Sequence, residues 1–414
     1  MFKSIQKISI FLKKIKEGKT SWRWALRTFY LFIFVALFAN FIANDKPYFC
    51  SYKNQWYAPV FKEISVHTGL SQWPAELVNT RWYKLDLDWA FWPPVHYSAT
   101  QNDRLNRSSG PFDKQNVRNN WFRHWLGTNQ DGQDVLAGMI WGARIALLIG
   151  FGAAFLAGII GVFLGALAGF FGDIDYSISR SQLLGVILGM VVGLFLGFIA
   201  RQHLWFSNER ISFMTGGLAL FFMISYSGSY LFKKLRFGAW GQRKIAIPLD
   251  NLIMRLIETL NALPGLLLLL SIVAIMPRPS ILSVILILGF LSWTGIARFV
   301  RGELLRIRSL EYIEAAKTLG FDSKRILWRH ALPNAMAPVF VSLTFAVAGA
   351  IIVEASLSFL GIGMPEDIVS WGSLLSDARE TSKAWWLAIF PGIAISSTII
   401  MLYTLGEAFS TARK

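Results

Sequence analysis

Few side chains in this sequence could do chemistry, and their spacing limits which kinds. The five histidines, His67, His96, His124, His203 and His330, are scattered, with no HExxH and no close pair. That argues against a metal centre built from them. The single cysteine, Cys50, forms neither an internal disulfide nor a multi-cysteine metal site. No G-x-x-x-x-G-K-[ST] run occurs, so no P-loop is available to cradle ATP. The clear ionisable residue deep in an apolar stretch is Glu354, within Ile351–Gly361. A carboxylate there is costly in a bilayer and is a functional candidate by default. A structural role, accepting hydrogen bonds where the helix breaks, fits equally well. No series of acidic residues follows it as a proton relay would need, which weakens a proton-driven reading.

The other informative segment, residues 298–335, is basic: Arg298, Arg301, Arg306, Arg308, Lys317, Lys324, Arg325 and Arg329. Its pattern predicts two short helices. The first runs to about Leu319 and stops at Gly320, suited to a left-handed C-terminal position. Asp322 can cap a second helix, from Ser323 to about Ala331, which Pro333 then ends. Ile313, Ala316 and Gly320 fall on one face at helical spacing. Small residues on that face would let another protein's surface approach closely. A solvated basic loop lying on anionic lipid is the plainer alternative.

These residues sit among greasy elements. Hydrophobic residues make up 54% of the 414, and charged residues only 16%, against about a quarter in a soluble domain. The composition points to an all-α polytopic membrane protein rather than a soluble enzyme. Eight stretches approach the ~20 residues that cross a bilayer: 25–44, 145–171, 183–200, 212–232, 259–276, 281–298, 336–360 and 384–406. The first follows a basic leader and lacks an A-x-A cleavage site, so it reads as an uncleaved anchor. With the N-terminus inside and alternating spans, the inside segments hold 24 Lys and Arg against 9 acidic residues, leaving out Glu258 at a span edge. The outside segments hold 15 against 14. The excess of the net +16 charge is therefore cytoplasmic, as the positive-inside rule expects, and both termini are expected in the cytoplasm. Such a charge calls for membrane lipid as the partner, not nucleic acid.

Between the first two spans, residues 45–142 carry eight tryptophans and read as a small extracytoplasmic cap; a docking surface for a delivery protein is the sharper alternative. Glycines at spacings of four, Gly161–Gly165–Gly169 and Gly185–Gly189–Gly193–Gly197, predict close helix approach.

The segment Glu314-Ala315-Ala316-x3-Gly320-x9-His330-x-Leu332-Pro333 resembles the EAA loop of ABC importer permeases. His330 followed by x-Leu-Pro-Asn resembles the oligopeptide, dipeptide and nickel branch. Further matches stand in order. Residues 126–136 resemble that branch's LGTDxxGRDVL, and Trp141–Ile145 its [YW]GARI. Glu354–Gly363 with Ser370–Gly372 resembles EASLSFLGLG…SWG. The resemblance covers roughly 121–182 and 248–410, and is to the C-type subunit. Ile42–Pro47, Trp56-Tyr57 and the long loop are similar to Yej-type (microcin C and oligopeptide) permeases. Asn129 and Gln133 depart from the family's Asp and Arg. An insert of about 183–245 adds two spans to the usual six.

The resemblance implies a type I ABC importer transmembrane domain with about eight spans. Its parts would be a basic N-terminus with a first anchor (1–44), the outer loop (45–142) and a permease domain (143–410) interrupted by the insert. It implies a non-catalytic subunit that couples to an ATPase through Glu314, Ala315, Ala316, Gly320, His330, Leu332 and Pro333, with Glu354 structural or in the pathway. The implied partners are a B-type permease, two ABC ATPase subunits or domains carrying ATP and magnesium, and an extracytoplasmic peptide-binding protein. The implied location is the bacterial inner membrane. Alternatives are the same architecture importing nickel or another small solute, a membrane scaffold, or an intramembrane enzyme. The last would need a Ser/His, Asp/Asp or HExxH set within the spans, and none is evident.

Overall fold

The computed structural model describes residues 20–411 other than 68, 70, 71, 75, 76, 78–81, 86, 118, 174–176, 202–209, 236, 237, 276–279, 363, 366 and 382. The expected basic leader before Thr20 lies mostly outside the described residues. The described residues begin with helix α1 (Thr20–Leu37) and a short turn of helix α2 (Ala39–Ile42). Four long helices then form the frame: α4 (Val135–Ala166, continued by a wide turn to Phe171), α10 (Ile281–Arg308), α13 (Leu332–Phe359) and α15 (Trp385–Thr411). α4 packs most extensively on α10, and α13 packs on both α4 and α15, with α1 against α15 and α4.

The glycine spacing carries the α4–α10 contact. A Cβ at Gly165 would lie 2.5 Å from the Ala297 carbonyl oxygen, and one at Gly169 2.7 Å from that of Arg301. Only glycine permits this approach, as the spacing predicts. The buried apolar cluster beside it joins Ala157, Trp293, Val300 and Leu304 to Ile313 and Ile326.

The frame has two ends. At the basic end lie α11 (Glu311–Thr318) and α12 (Ser323–Ile326). At the other, the cap end, lie the described residues of 43–134, with a three-stranded sheet ordered β2-β1-β3 (β1 Phe49–Tyr52, β2 Gln55–Tyr57, β3 Trp89–Phe91) and helix α3 (Pro59–His67). Lys53 and Asn54 both take positive φ, the two-residue turn that matches the twist of an antiparallel hairpin. Cys50, Leu77 and Trp82 are buried together beneath this sheet. Helix α14 (Trp371–Glu380) also lies at the cap end.

The eight expected spans are not all confirmed. Among the described residues, five helices are long and apolar enough to cross a membrane, or six if one bent pair counts as a span. Helix α1 falls short because its 18 residues include Arg23 and Arg27. The expected span 212–232 falls on helix α6 (Arg210–Leu235), where side chains 211–215 and 218 lie outside the described residues. The expected span 259–276 is divided into α8 (Leu249–Ala262) and α9 (Gly265–Ile275), bent by 77°. Pro264 explains the break: it has no N–H to donate, and Leu263 before it is extended.

The insert forms a hairpin of α5 (Arg180–Leu194, with a wide turn to Ile199) and α6, rooted by the paired strands β4 (Ser177–Ser179) and β5 (Lys244–Ala246), with the short helix α7 (Gly238–Gln242) between α6 and β5.

Candidate functional site

Helix α11 ends in a full Schellman motif. The Phe321 N–H donates to the Ala316 carbonyl (3.2 Å) and the Gly320 N–H to that of Lys317 (2.9 Å). Gly320 takes φ +77° with nothing within 4 Å of a Cβ placed there, so the stop at Gly320 is found as expected. The helix before it is the expected short one: α10 ends at Arg308, and α11 begins after Ser309 and Leu310.

The second expected helix is corrected. Asp322 occupies the N-cap position of α12 but makes no side-chain cap bond. Nor does Pro333 terminate anything. Residues 327–331 form a wide turn in which the Leu332 N–H donates to the Leu327 carbonyl, and the helix continues as α13. Proline lacks the N–H that would bond four residues back, and the wide turn removes the need for it.

The expected contact face is also corrected. Ile313 is 0% exposed and Ala316 8%; both face inward, against Leu304, Ile307, Ile326 and Leu327 in the chain's own core. The smallness of Ala316 serves packing beneath the segment. Leu332 is buried too, His330 is half-buried, and Glu314, Ala315, Gly320 and Pro333 are exposed. The outward surface is carried by residues that spacing alone did not single out: Leu319 (73% exposed), Trp328 (60%) and Phe321. Lys317, Lys324, Arg325 and Arg329 are exposed around them, with the Arg325 guanidinium over the Phe321 ring at 4.9 Å. Exposed large apolar residues beside a glycine stop in a basic loop are the signal that could have found them.

The segment is locked to the frame. The Asn334 amide donates to the Tyr312 hydroxyl (3.2 Å), tying α13 to α11. Arg301 forms a bidentate pair with Asp250 of α8, and Arg308 donates to the Phe170 carbonyl (3.2 Å) at the end of α4. These bonds join α11 to α13, and α10 to α8 and to the end of α4.

The other sequence motifs meet at the cap end. The Trp371 indole donates to the Met139 carbonyl (2.9 Å) and the Trp386 indole to that of Thr128 (3.1 Å). A Cβ at Gly372 would lie 2.4 Å from the Ala355 carbonyl oxygen, so the Ser370–Gly372 turn sits directly on α13 beside Glu354. Glu354 is 1% exposed and accepts from the Ser358 hydroxyl (2.8 Å). The Asn129 side-chain amide donates to the Gln133 side-chain carbonyl (3.1 Å). Trp141 donates to the Ala43 carbonyl (3.1 Å), and Arg144 lies over its ring while lining a cavity of about 910 Å³ with Asp45, Lys46, Glu63 and Asp367.

One cluster at the cap end was not read from sequence. His124, fully buried, lies 2.8 Å from the Asp134 carboxylate and 3.4 Å from that of Asp103, with Tyr97 stacked on its ring. Asp134 also caps α4 by accepting from the Ala137 N–H (2.7 Å). The cluster fixes where the loop becomes helix. Among the described residues no group of three or more His, Cys, Asp or Glu could hold a metal ion.

Residues 235–413 match the family described as binding-protein-dependent transport system inner membrane component. The chain is 27% identical to the inner membrane ABC transporter permease protein YejE of Escherichia coli, over 94% of this chain and 92% of that one. It is 27% identical to the peptidoglycan transport system permease protein YejE of Agrobacterium fabrum, over 94% and 88%. It is 30% identical to the dipeptide transport system permease protein DppC of Bacillus subtilis, over 70% and 68%.

Proposed function

This chain belongs to the family of binding-protein-dependent transport system inner membrane components, and from that premise we propose that it is one permease half of an ATP-driven peptide importer. It is a multi-pass inner-membrane protein. The peptide cargo rests on relatives whose names specify peptide, dipeptide or peptidoglycan transport.

The observation that carries the reading is the two-sidedness of the 309–331 segment. Its inner face, Ile313, Ala316 and Ile326, is welded into the helix frame. Its outer face offers Leu319, Phe321 and Trp328 inside a basic ring. A joint that transmits force needs both: a detachable apolar contact outside and a rigid connection within. Glu314, Ala315, Ala316, Gly320, His330, Leu332 and Pro333 shape it, with Ala316 and Leu332 acting from beneath.

The segment and both termini face the cytoplasm in this reading. Two ABC ATPase subunits or domains, which hold ATP and magnesium, grip the apolar tip. A B-type permease completes the pathway, and an extracytoplasmic peptide-binding protein delivers cargo to the cap end. ATP favours one of two arrangements of the frame and hydrolysis releases it, so coupling is a shift between states. No bond is made or broken on this chain. Glu354, bonded to Ser358 on its own helix, has a structural role or lies in the pathway.

Affinity purification from membranes tests the reading. An ABC ATPase and a second permease are expected to purify with the chain, and the assembly to take up peptide only with ATP. Purification of a chain that supports uptake with neither partner would refute it.

A further inference from the structure

The insert hairpin is a body apart. Its two helices pack on each other through glycine: a Cβ at Gly185 would lie 2.4 Å from the Gly228 carbonyl oxygen, and one at Gly197 2.7 Å from that of Gly217. Among the described residues, none of its side chains enters the buried apolar clusters of the frame. Among the described residues its helices pack chiefly on each other and on the root beneath them. The match to the family begins at residue 235, where the hairpin ends. Its faces leave Ile187, Val191, Phe222, Tyr226 and Tyr230 exposed.

At its root the chemistry changes. Residues 233–248 hold five basic side chains and no acidic one. The β4–β5 ladder sets Lys244 opposite Ser179, and the Arg180 N–H donates to the Arg243 carbonyl (3.0 Å). Three cationic side chains thus leave adjacent backbone positions. The Arg180 guanidinium lies over the ring of Trp240, itself 54% exposed. Lys233 and Lys234 are exposed in the last turn of α6. Among the described residues no acidic group forms an ion pair with any of these.

We propose that this collar binds the phosphate headgroup of an anionic phospholipid, whose acyl chains lie along the exposed faces of α5 and α6. The pairing of an unneutralised basic ring with two apolar helices above it fits an amphiphile. It fits neither a free anion, which has no use for the apolar faces, nor an acidic protein tail, which has none for their length. Tryptophan at the junction is the usual residue at headgroup depth.

The test uses the full assembly, reconstituted in phosphatidylcholine vesicles with a minor share of phosphatidylglycerol, then purified and analysed for retained lipid by mass spectrometry. Wild type is expected to retain phosphatidylglycerol above its share. Arg180→Gln with Arg243→Gln and Lys244→Gln is expected to lower its affinity by about fivefold per charge removed. A second variant replaces 178–245 by a short glycine link; Ser177 and Ala246 are paired, so the ends already meet. It is expected to keep ATP-driven uptake and lose the excess lipid. Equal phosphatidylglycerol excess in wild type and both variants would overturn the proposal. So would displacement of the lipid by inorganic phosphate alone, or recovery of a protein at the collar in its place.

Discussion

The Asn129 side-chain amide donates to the Asp377 carboxylate across 2.8 Å, although the two residues lie 248 apart in the chain. This bond ties the loop before α4 to helix α14. Burial pushes the Asp377 carboxyl above its ordinary range, with Glu380 and Asp131 adding to the effect, while the Asn129 bond pulls it down. A raised carboxyl favours the fold in its protonated form, so that stability is present at low pH and is lost as pH rises through the folded value. Asn129→Asp would remove the donor and add a like charge. Its thermal unfolding temperature is expected below wild type, with the gap widening from acid to neutral pH. Asp377→Asn keeps an acceptor and discards the buried charge. Its advantage over wild type is expected at neutral pH and should fade as pH falls toward 3.8. A gap for Asn129→Asp that shrinks on going from acid to neutral pH would contradict this assignment.

Glycines on the frame helices are not equivalent. At Gly165 a Cβ would lie 2.5 Å from a backbone oxygen and 2.8 Å from the Val300 Cβ, whereas at Gly295 nothing lies within 4 Å. Gly165→Val is expected to cost about 1–3 kcal/mol, the usual penalty for forcing bulk into a packed contact. Gly295→Ala should be neutral or stabilise by roughly 0.5–1 kcal/mol, since alanine suits a helix interior better. Unfolding of the two variants in the same detergent would show whether the α4–α10 approach has been read correctly.

The basic end separates docking from packing. Leu319→Asp changes an exposed tip residue, and is expected to leave unfolding unchanged while uptake falls by about tenfold or more, as for loss of an interface anchor. Ala316→Trp forces a large ring into a site that is 8% exposed and should lose stability together with uptake. Paired unfolding and transport assays distinguish the two; a stable, fully active Leu319→Asp would show that the tip carries no contact.

What could be read from sequence followed from local rules. Gly320 announced its positive φ, and the glycine spacings announced which faces of α4 and α5 meet a neighbour, because both depend on a missing Cβ. Pro333 was misread because its effect depends on the preceding turn: residues 327–331 widen, and the helix runs on. The Ile313–Ala316 face was misread because spacing shows which residues share a face and leaves open whether that face meets a partner or the chain's own core. The His124–Asp134 pair, ten residues apart in chain, needed the loop's path. Pro264 was visible within span 259–276, but a proline marks a break without setting its angle, here 77°.

Site-directed cross-linking at the tip tests the central claim most directly. Cys50 is the only cysteine. It is fully buried, and burial pushes its thiol up to about 11, so it does not compete for thiol reagents at neutral pH. With Leu319→Cys in the assembled protein, a short thiol cross-linker is expected to join this chain to the ATPase, with a yield that changes on adding ATP. Labelling of Leu319→Cys only from the side of the membrane that carries the cap, with no adduct to an ATPase, would contradict the account.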